Sequence, residues 1–354
     1  MRTSKLAWPV APVLVALALA AAPATPEEGN PMPAIEEIAV TPEGAKATHL
    51  SLSRDGNLVA YRRVGSMEKG LWIFDRKTGE HRPLVADSEE KAYFAPTFSP
   101  DGKAIAFLVG EPVVPPSYTS VGVLTIADRT RLDFPGSAFS WSPTSKRIAI
   151  ANRESGELGV GSLKTGKVTE IAPIAPGWDP LEPPAMAWSP DGESIAYAVT
   201  LPEQGSQGIR CALVDKKELT RVFDYQAKRA SIYLFWSPDG RLGWHAVLPG
   251  DKPTSEICAL DASGKPETLY HSDLVDAAGR PAWSPDGATI ALVRTPKYHK
   301  HLSYGPSDVW AIDVATKQLR PLTAVEDAAG DLSWSADGKT LVLSGGNRLR
   351  CIKP

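Results

Sequence analysis

The only two histidines close enough in sequence to share a metal ion are His299 and His301, in the run Tyr298-His299-Lys300-His301. On an extended segment, side chains two residues apart point to one side, as two metal ligands could. No Asp, Glu or Cys lies between Thr295 and Pro306 to complete a coordination sphere. The run therefore reads as a solvated loop with metal ligation as the alternative, and we assign no metal and no cofactor. Nucleophilic hydrolysis finds no support either, because no Gly-x-Ser-x-Gly elbow occurs. The three thiols, Cys211, Cys258 and Cys351, fall at equivalent places of a repeat described below. Equivalent places in packed neighbouring sheets lie about 10 Å apart, whereas a disulfide needs its Cα atoms within about 7 Å. Three buried, unbridged thiols are expected.

That repeat must position any site the chain carries. Trp-Ser-Pro-Asp-Gly occurs at 188–192, 236–240 and 283–287, with variants from Leu52, Phe98, Trp141 and Trp334. Measured at the fifth residue (Gly56, Gly102, Ser145, Gly192, Gly240, Gly287, Gly338), the spacings are 46, 43, 47, 48, 47 and 51 residues. A period in this range marks a propeller or a similar array. Pro presets a turn, Asp bonds its own backbone and Gly accepts positive φ, so each copy reads as a hairpin between two strands. Segments such as Ala104–Val109 and Ser194–Val199 then read as second strands. The expected fold is all-β: a seven-bladed propeller of four-stranded antiparallel blades. The seventh repeat supplies only three strands before Pro354. The segment 35–41 sits as far upstream of Asp55 as the fourth strand of repeat six sits upstream of Asp337. It is expected to complete the last blade, one N-terminal strand joining three C-terminal ones.

In this register the starts of the seven innermost strands line the mouth of a central channel. They are three alanines (Ala95, Ala138, Ala185) and four hydrogen-bonding residues: His49, Tyr233, Arg280 and Asp331. Arg280 and Asp331, on adjacent blades, read either as a charge pair or as part of a polar binding mouth. The longest loops share that face, among them 173–184 with Trp178, the one tryptophan of the mature chain that is off the repeat strands. Trp178 reads as an interface anchor or as a residue tucked over the blade seam. The repeat tryptophans themselves recur in blade after blade and are expected to pack between blades.

A first strand ending in Trp-Ser-Pro-Asp-Gly, an Ile-Ala-Phe-like second strand and a third ending in Asp resemble the WD40-like (PD40) propeller repeat of the TolB family. The pattern is also similar to the propellers of prolyl-oligopeptidase-type peptidases. The resemblance covers 35–354. It implies a propeller but neither the α/β domain that precedes the propeller in TolB nor the hydrolase domain of the peptidases, since the sequence supplies no segment for either.

Residues 1–24 read as a signal peptide, with Arg2 and Lys5 ahead of the apolar run Val13–Ala22 and small residues after it. Residues 25–34 are a polar, proline-rich lead. The net charge of −3, −5 without Arg2 and Lys5, and the lack of a basic stripe argue against nucleic acid. No membrane span is expected in the mature chain. The reading is an exported, periplasmic or extracellular monomer that binds an envelope protein, peptide or glycan. The alternative is a metal-dependent hydrolase or lyase with its site at the channel mouth.

Overall fold

In a computed structural model of the chain, the repeated pentapeptides form the hairpins that their chemistry dictates. In each full copy the Ser hydroxyl donates to the Asp carboxylate, at 2.7 Å for Ser99 to Asp101, and accepts the amide at the start of the next strand, at 2.9 Å from Ala104. Gly102, at φ +72°, donates its amide back to the Ser99 carbonyl at 2.8 Å. The one copy without Gly is informative. Ser145 takes the same left-handed conformation at φ +59°, and its hydroxyl accepts the Asp101 amide of the preceding blade's turn at 3.0 Å.

The described residues are 35–39, 46–65, 67–113, 117–174, 185–201, 206–216, 218–225, 231–248, 254–272, 281–294, 308–323, 332–335, 337–345 and 348–354. They form seven four-stranded antiparallel sheets and no helix. Blades 1 to 6 span 46–86, 92–135, 138–173, 186–225, 231–272 and 282–321, each built in sequence order from its innermost strand outward. In blade 7 the order is Leu332–Trp334, Leu341–Gly345, Arg348–Ile352 and then Ile35–Ala39. The N-terminal strand pairs antiparallel from Ile35 opposite Ile352 to Ala39 opposite Arg348, so the expected closure is present. Residues 1–34, which include the leader and lead, lie outside the described residues. Among the described residues no helix is long and apolar enough to cross a membrane.

Burial follows from the blade stacking. A second strand is sandwiched between neighbouring blades, and Ala104–Gly110 is buried at every position. A fourth strand meets solvent, and Val168–Pro173 is exposed at four of its six positions. Seven apolar clusters fill the seven junctions between blades. One of them joins Tyr61 and Phe74 of blade 1 to Val342 and Cys351 of blade 7, so the ring is sealed by packing as well as by pairing.

The repeat tryptophans add a polar stitch to this packing. The indole of Trp188 donates to the Ser140 carbonyl at 3.0 Å, which is the residue just before Trp141 in the preceding blade. Trp141, Trp236 and Trp334 do the same to Thr97, Ala187 and Ala282, at 3.1, 3.0 and 3.0 Å. Trp283 is the exception: its indole nitrogen is buried and has no acceptor. Trp141, Trp188 and Trp283 are buried, whereas Trp236 and Trp334 are half-buried. None of the three cysteines forms a disulfide. Cys258 and Cys351 are buried but Cys211 is only half-buried, a correction to the sequence reading.

Candidate functional site: the channel mouth

The innermost strands of blades 1 and 2 each carry a β-bulge at the same place, between Thr48 and Ser51 and between Phe94 and Thr97. His49-Leu50 and Ala95-Pro96 thereby leave the cross-strand register. Pro96, which has no amide to donate to a ladder, fits such a break. The bulges hold His49 at φ +53° and Ala95 at φ +48°. This region disfavours a side chain bearing Cβ by roughly 1–2 kcal/mol. The other described non-glycine residues with positive φ, Arg129, Ser145 and Lys317, all sit in hairpin turns. His49 and Ala95 alone among them place strain inside a strand.

Both residues line a cavity of about 510 Å³. Its described wall is drawn mainly from the innermost strands of blades 7, 1, 2, 3 and 4, with Leu108 from the second strand of blade 2, which identifies it as the channel space on that side of the ring. The residue just before the repeat tryptophan, or its Leu or Phe equivalent, contributes on blades 7, 1, 2 and 3: Ser333, Ser51, Thr97 and Ser140. On blades 4, 5 and 6 the same position holds Ala187, Phe235 and Ala282. One arc of the ring is thus hydroxylated and the other is not. Ser51 spends its hydroxyl on the Phe98 amide at 3.0 Å, and Thr97 donates to the Ala95 carbonyl at 3.3 Å. Ser137, at the foot of blade 3, also lines the cavity. Its hydroxyl is buried with no partner.

The residues expected at the mouth divide between wall, neighbouring packing and undescribed sequence. His49, Ala95 and Ala138 lie on the cavity wall. His49 is exposed, with Nδ1 3.3 Å from the Thr48 hydroxyl. Ala185 is packed into the core between blades 4 and 5, and its neighbour Met186 reaches the cavity instead. Tyr233 is not among the described residues lining the cavity. Its ring stacks on that of His245, 5.7 Å away and 9° from parallel. Trp178, Arg280, Asp331, His299 and His301 lie outside the described residues. Among the described residues no three His, Cys, Asp or Glu side chains gather as a metal site would require.

His245 is the second polar feature, and the sequence reading did not place it. It is fully buried on the second strand of blade 5, with Nε2 2.8 Å from the Ser255 hydroxyl and Nδ1 unpartnered. Burial with no compensating charge depresses its pKa to about 4. A neutral His beside a Ser resembles part of a catalytic triad, but Ser255 is 1% exposed and cannot meet a substrate. The pair serves to satisfy buried polarity. The turn aspartates are shifted by a different cause: Ser53 and Asn57 hydrogen-bond Asp55 and bring its pKa to about 2.

Two signals in the sequence could have found the cavity wall. Pro96 within a strand pattern marks a bulge. The residue before each repeat tryptophan, read around the ring, shows the hydroxyl arc directly.

No family model matches the sequence, and no curated protein matches it. Solved structures do. The chain is similar to a chain of a mitotic checkpoint complex, with 15% identity over 96% of this chain and 98% of that one, TM-score 0.64. It is similar to an oligogalacturonate lyase in complex with manganese, with 13% identity over 90% and 93% of the two chains, TM-score 0.64. The Swd1 (Cps50) β-propeller domain of Myceliophteria thermophila matches at 13% identity over 91% and 100%, TM-score 0.62. At these identities the likeness shows the fold, a seven-bladed β-propeller, which the strand order shows independently.

Proposed function

We propose that this propeller is an exported binding module that holds an envelope protein, peptide or glycan at its channel mouth and on the long-loop rim beside it. The observation that carries the reading is the 510 Å³ cavity, bounded by two strained bulges and a hydroxylated arc, in a scaffold whose repeated turn Ser and Asp groups are spent on one another. Strain inside a strand, where a straight pairing would cost less, is the kind of departure that accompanies a binding site. His49 contributes to the inner wall in this reading. Trp178, Tyr233, Arg280 and Asp331 are proposed for the rim, and export rests on the leader-like residues 1–24. The TolB-like repeat pattern agrees with a periplasmic or secreted setting.

Affinity capture from a native envelope fraction tests the reading, with the intact mature chain beside a Trp178→Ala/Arg280→Ala variant and a His49→Trp variant that fills the mouth. Loss of the same partner from both variants supports it. Identical partner lists for all three remove this face from contention. A second reading is favoured by one observation, the fold shared with the manganese-bound oligogalacturonate lyase. Its metal ligands would have to include His299 or His301. Manganese-dependent cleavage of oligogalacturonate, lost in a His299→Ala/His301→Ala variant, would replace the binding module by the enzyme.

A further inference from the structure

We infer that the channel wall formed by blades 7, 1, 2 and 3 is a subsite for an uncharged, hydroxyl-rich ligand of the chemical class of a neutral sugar residue. The inference rests on the binding reading above and names the ligand chemistry of that site. Three observations on the wall lead to it.

The first is size and charge. A volume of about 510 Å³ falls within the roughly 300–1,000 Å³ of small-molecule sites. Among the described residues on the wall, none is an Asp, Glu, Lys or Arg, and His49 is the one titratable group. An anionic ligand would call for Arg or Lys, and a cationic one for carboxylates. The described wall offers neither.

The second is the pattern of hydrogen-bonding groups. Ser333, Ser51, Thr97 and Ser140 follow one another on adjacent blades at one register position. A hydroxyl both donates and accepts, so this arc matches partners that also do both, which sugar hydroxyls are and carboxylates are not. The bulges at 49–50 and 95–96 take four further residues of backbone out of the ladder on the same stretch of wall. Ser137 lies at the foot of the same wall, but its hydroxyl is buried and is not among the groups that meet a ligand.

The third is the apolar remainder. Phe98, Phe139, Trp141 and Met186 stand on the wall beside the arc. A pyranose ring presents a C–H face as well as a hydroxyl edge, and a wall with aromatic rings and a thioether beside hydroxyls accommodates both.

Saturation-transfer NMR and titration calorimetry on the full mature chain test the inference. The probes are maltose, cellobiose and N,N′-diacetylchitobiose, with digalacturonic acid and trialanine alongside. We expect saturable binding of at least one neutral disaccharide and none of the acid or the peptide. Ser140→Ala should weaken that binding roughly five- to tenfold, as loss of one hydrogen bond does. Because Ser140 holds the Trp188 indole through its backbone carbonyl, which the substitution keeps, this variant should melt close to the wild-type temperature, so a binding loss is not a folding loss. Thr97→Val serves as a second variant with the same expectation for binding. Three results overturn the inference: no saturable response to any neutral probe, binding of digalacturonate or trialanine at equal or higher affinity, or unchanged sugar affinity in both variants. If neutral sugars fail while envelope capture still depends on the channel mouth, the sugar class falls and the binding module stands. If both fail, the binding reading itself falls.

Discussion

Trp188 and Trp283 form a matched pair that isolates the value of the indole stitch. Both are buried, at 6% and 8% exposure, and both lie under an Arg guanidinium 5.2 Å from the ring, Arg147 and Arg241 respectively. They differ in the N–H: Trp188 donates to the Ser140 carbonyl at 3.0 Å, and Trp283 has no acceptor. Replacing either by Phe removes part of the ring from a packed seam, a cavity cost of about 1 kcal/mol. In Trp188→Phe the hydrogen bond goes too and leaves a carbonyl without its donor, adding about 1 kcal/mol or more. In Trp283→Phe the change removes a buried, unpaired donor whose desolvation costs about 1–3 kcal/mol, which cancels the cavity or exceeds it. The expected gap is therefore about 2–4 kcal/mol, with Trp188→Phe destabilised and Trp283→Phe at or above wild type. At an m-value of about 3 kcal/mol/M, urea midpoints followed by far-ultraviolet circular dichroism should differ by about 0.7–1.3 M. Coincident midpoints, or a lower one for Trp283→Phe, would refute the claim that the carbonyl acceptor gives the repeat tryptophan its role beyond packing.

Deleting residues 33–42 removes the strand that pairs Ile35–Ala39 with Arg348–Ile352, exposes the last blade's edge and should sharply lower the melting temperature; an unchanged melting curve contradicts closure by that strand. The pH dependence of stability should carry a signature of His245. Its folded pKa of about 4 lies below the ordinary 6.5, so the unfolded chain takes up the proton first as pH falls. Stability is full above about pH 6.5 and should decline by roughly 3 kcal/mol on approach to pH 4. Urea titrations of His245→Gln should lose most of that slope and keep the lower window, where Asp55, held at about 2 by Ser53 and Asn57, protonates; an unaltered slope between pH 6.5 and 4 would exclude His245 as its source. Ala95→Gly should raise stability by about 0.5–1 kcal/mol, because relief of the left-handed strain exceeds the entropy that Gly brings to the unfolded chain; a fall in melting temperature would show that the Ala95 methyl contributes more packing than its conformation costs.

The ring was legible in the sequence because its turns obey local chemistry. Ser, Asp and Gly at fixed offsets satisfy one another within five residues, so the hairpin is specified without knowledge of the neighbouring blade. Closure was legible for the same reason: a strand at a fixed distance upstream of the next turn must occupy the outer position. Exact strand ends were less so, and the innermost strand expected to start at Arg280 is described only at Ala282–Trp283. The channel wall was harder, because it depends on how backbones bend where strands converge. Reading the first residue of each innermost strand selected His49, Ala95 and Ala138, which line the cavity, and Tyr233, whose ring stacks on His245. Bulges add residues that the repeat length absorbs without trace, as the 46- and 43-residue spacings on either side of blade 2's turn illustrate.

What separates the cavity wall from the rest of the ring is that, Ser51 apart, packing between blades does not require its hydroxyls. The position before the repeat tryptophan must be small enough to let the indole of the next blade reach its carbonyl. Ala187 and Ala282 meet that need on blades 4 and 6, where they accept Trp236 and Trp334 at 3.0 Å. Ser140 accepts Trp188 at the same distance, so its hydroxyl adds nothing to the stitch. Thr97 accepts Trp141 through its carbonyl and turns its hydroxyl back on the bulge. Only Ser51 puts its hydroxyl to inter-blade use, on the Phe98 amide. A structural requirement would have spread Ser and Thr around the ring or omitted them throughout. Their confinement to four consecutive blades, beside two strained bulges, is what the proposed binding role of the enclosed space accounts for.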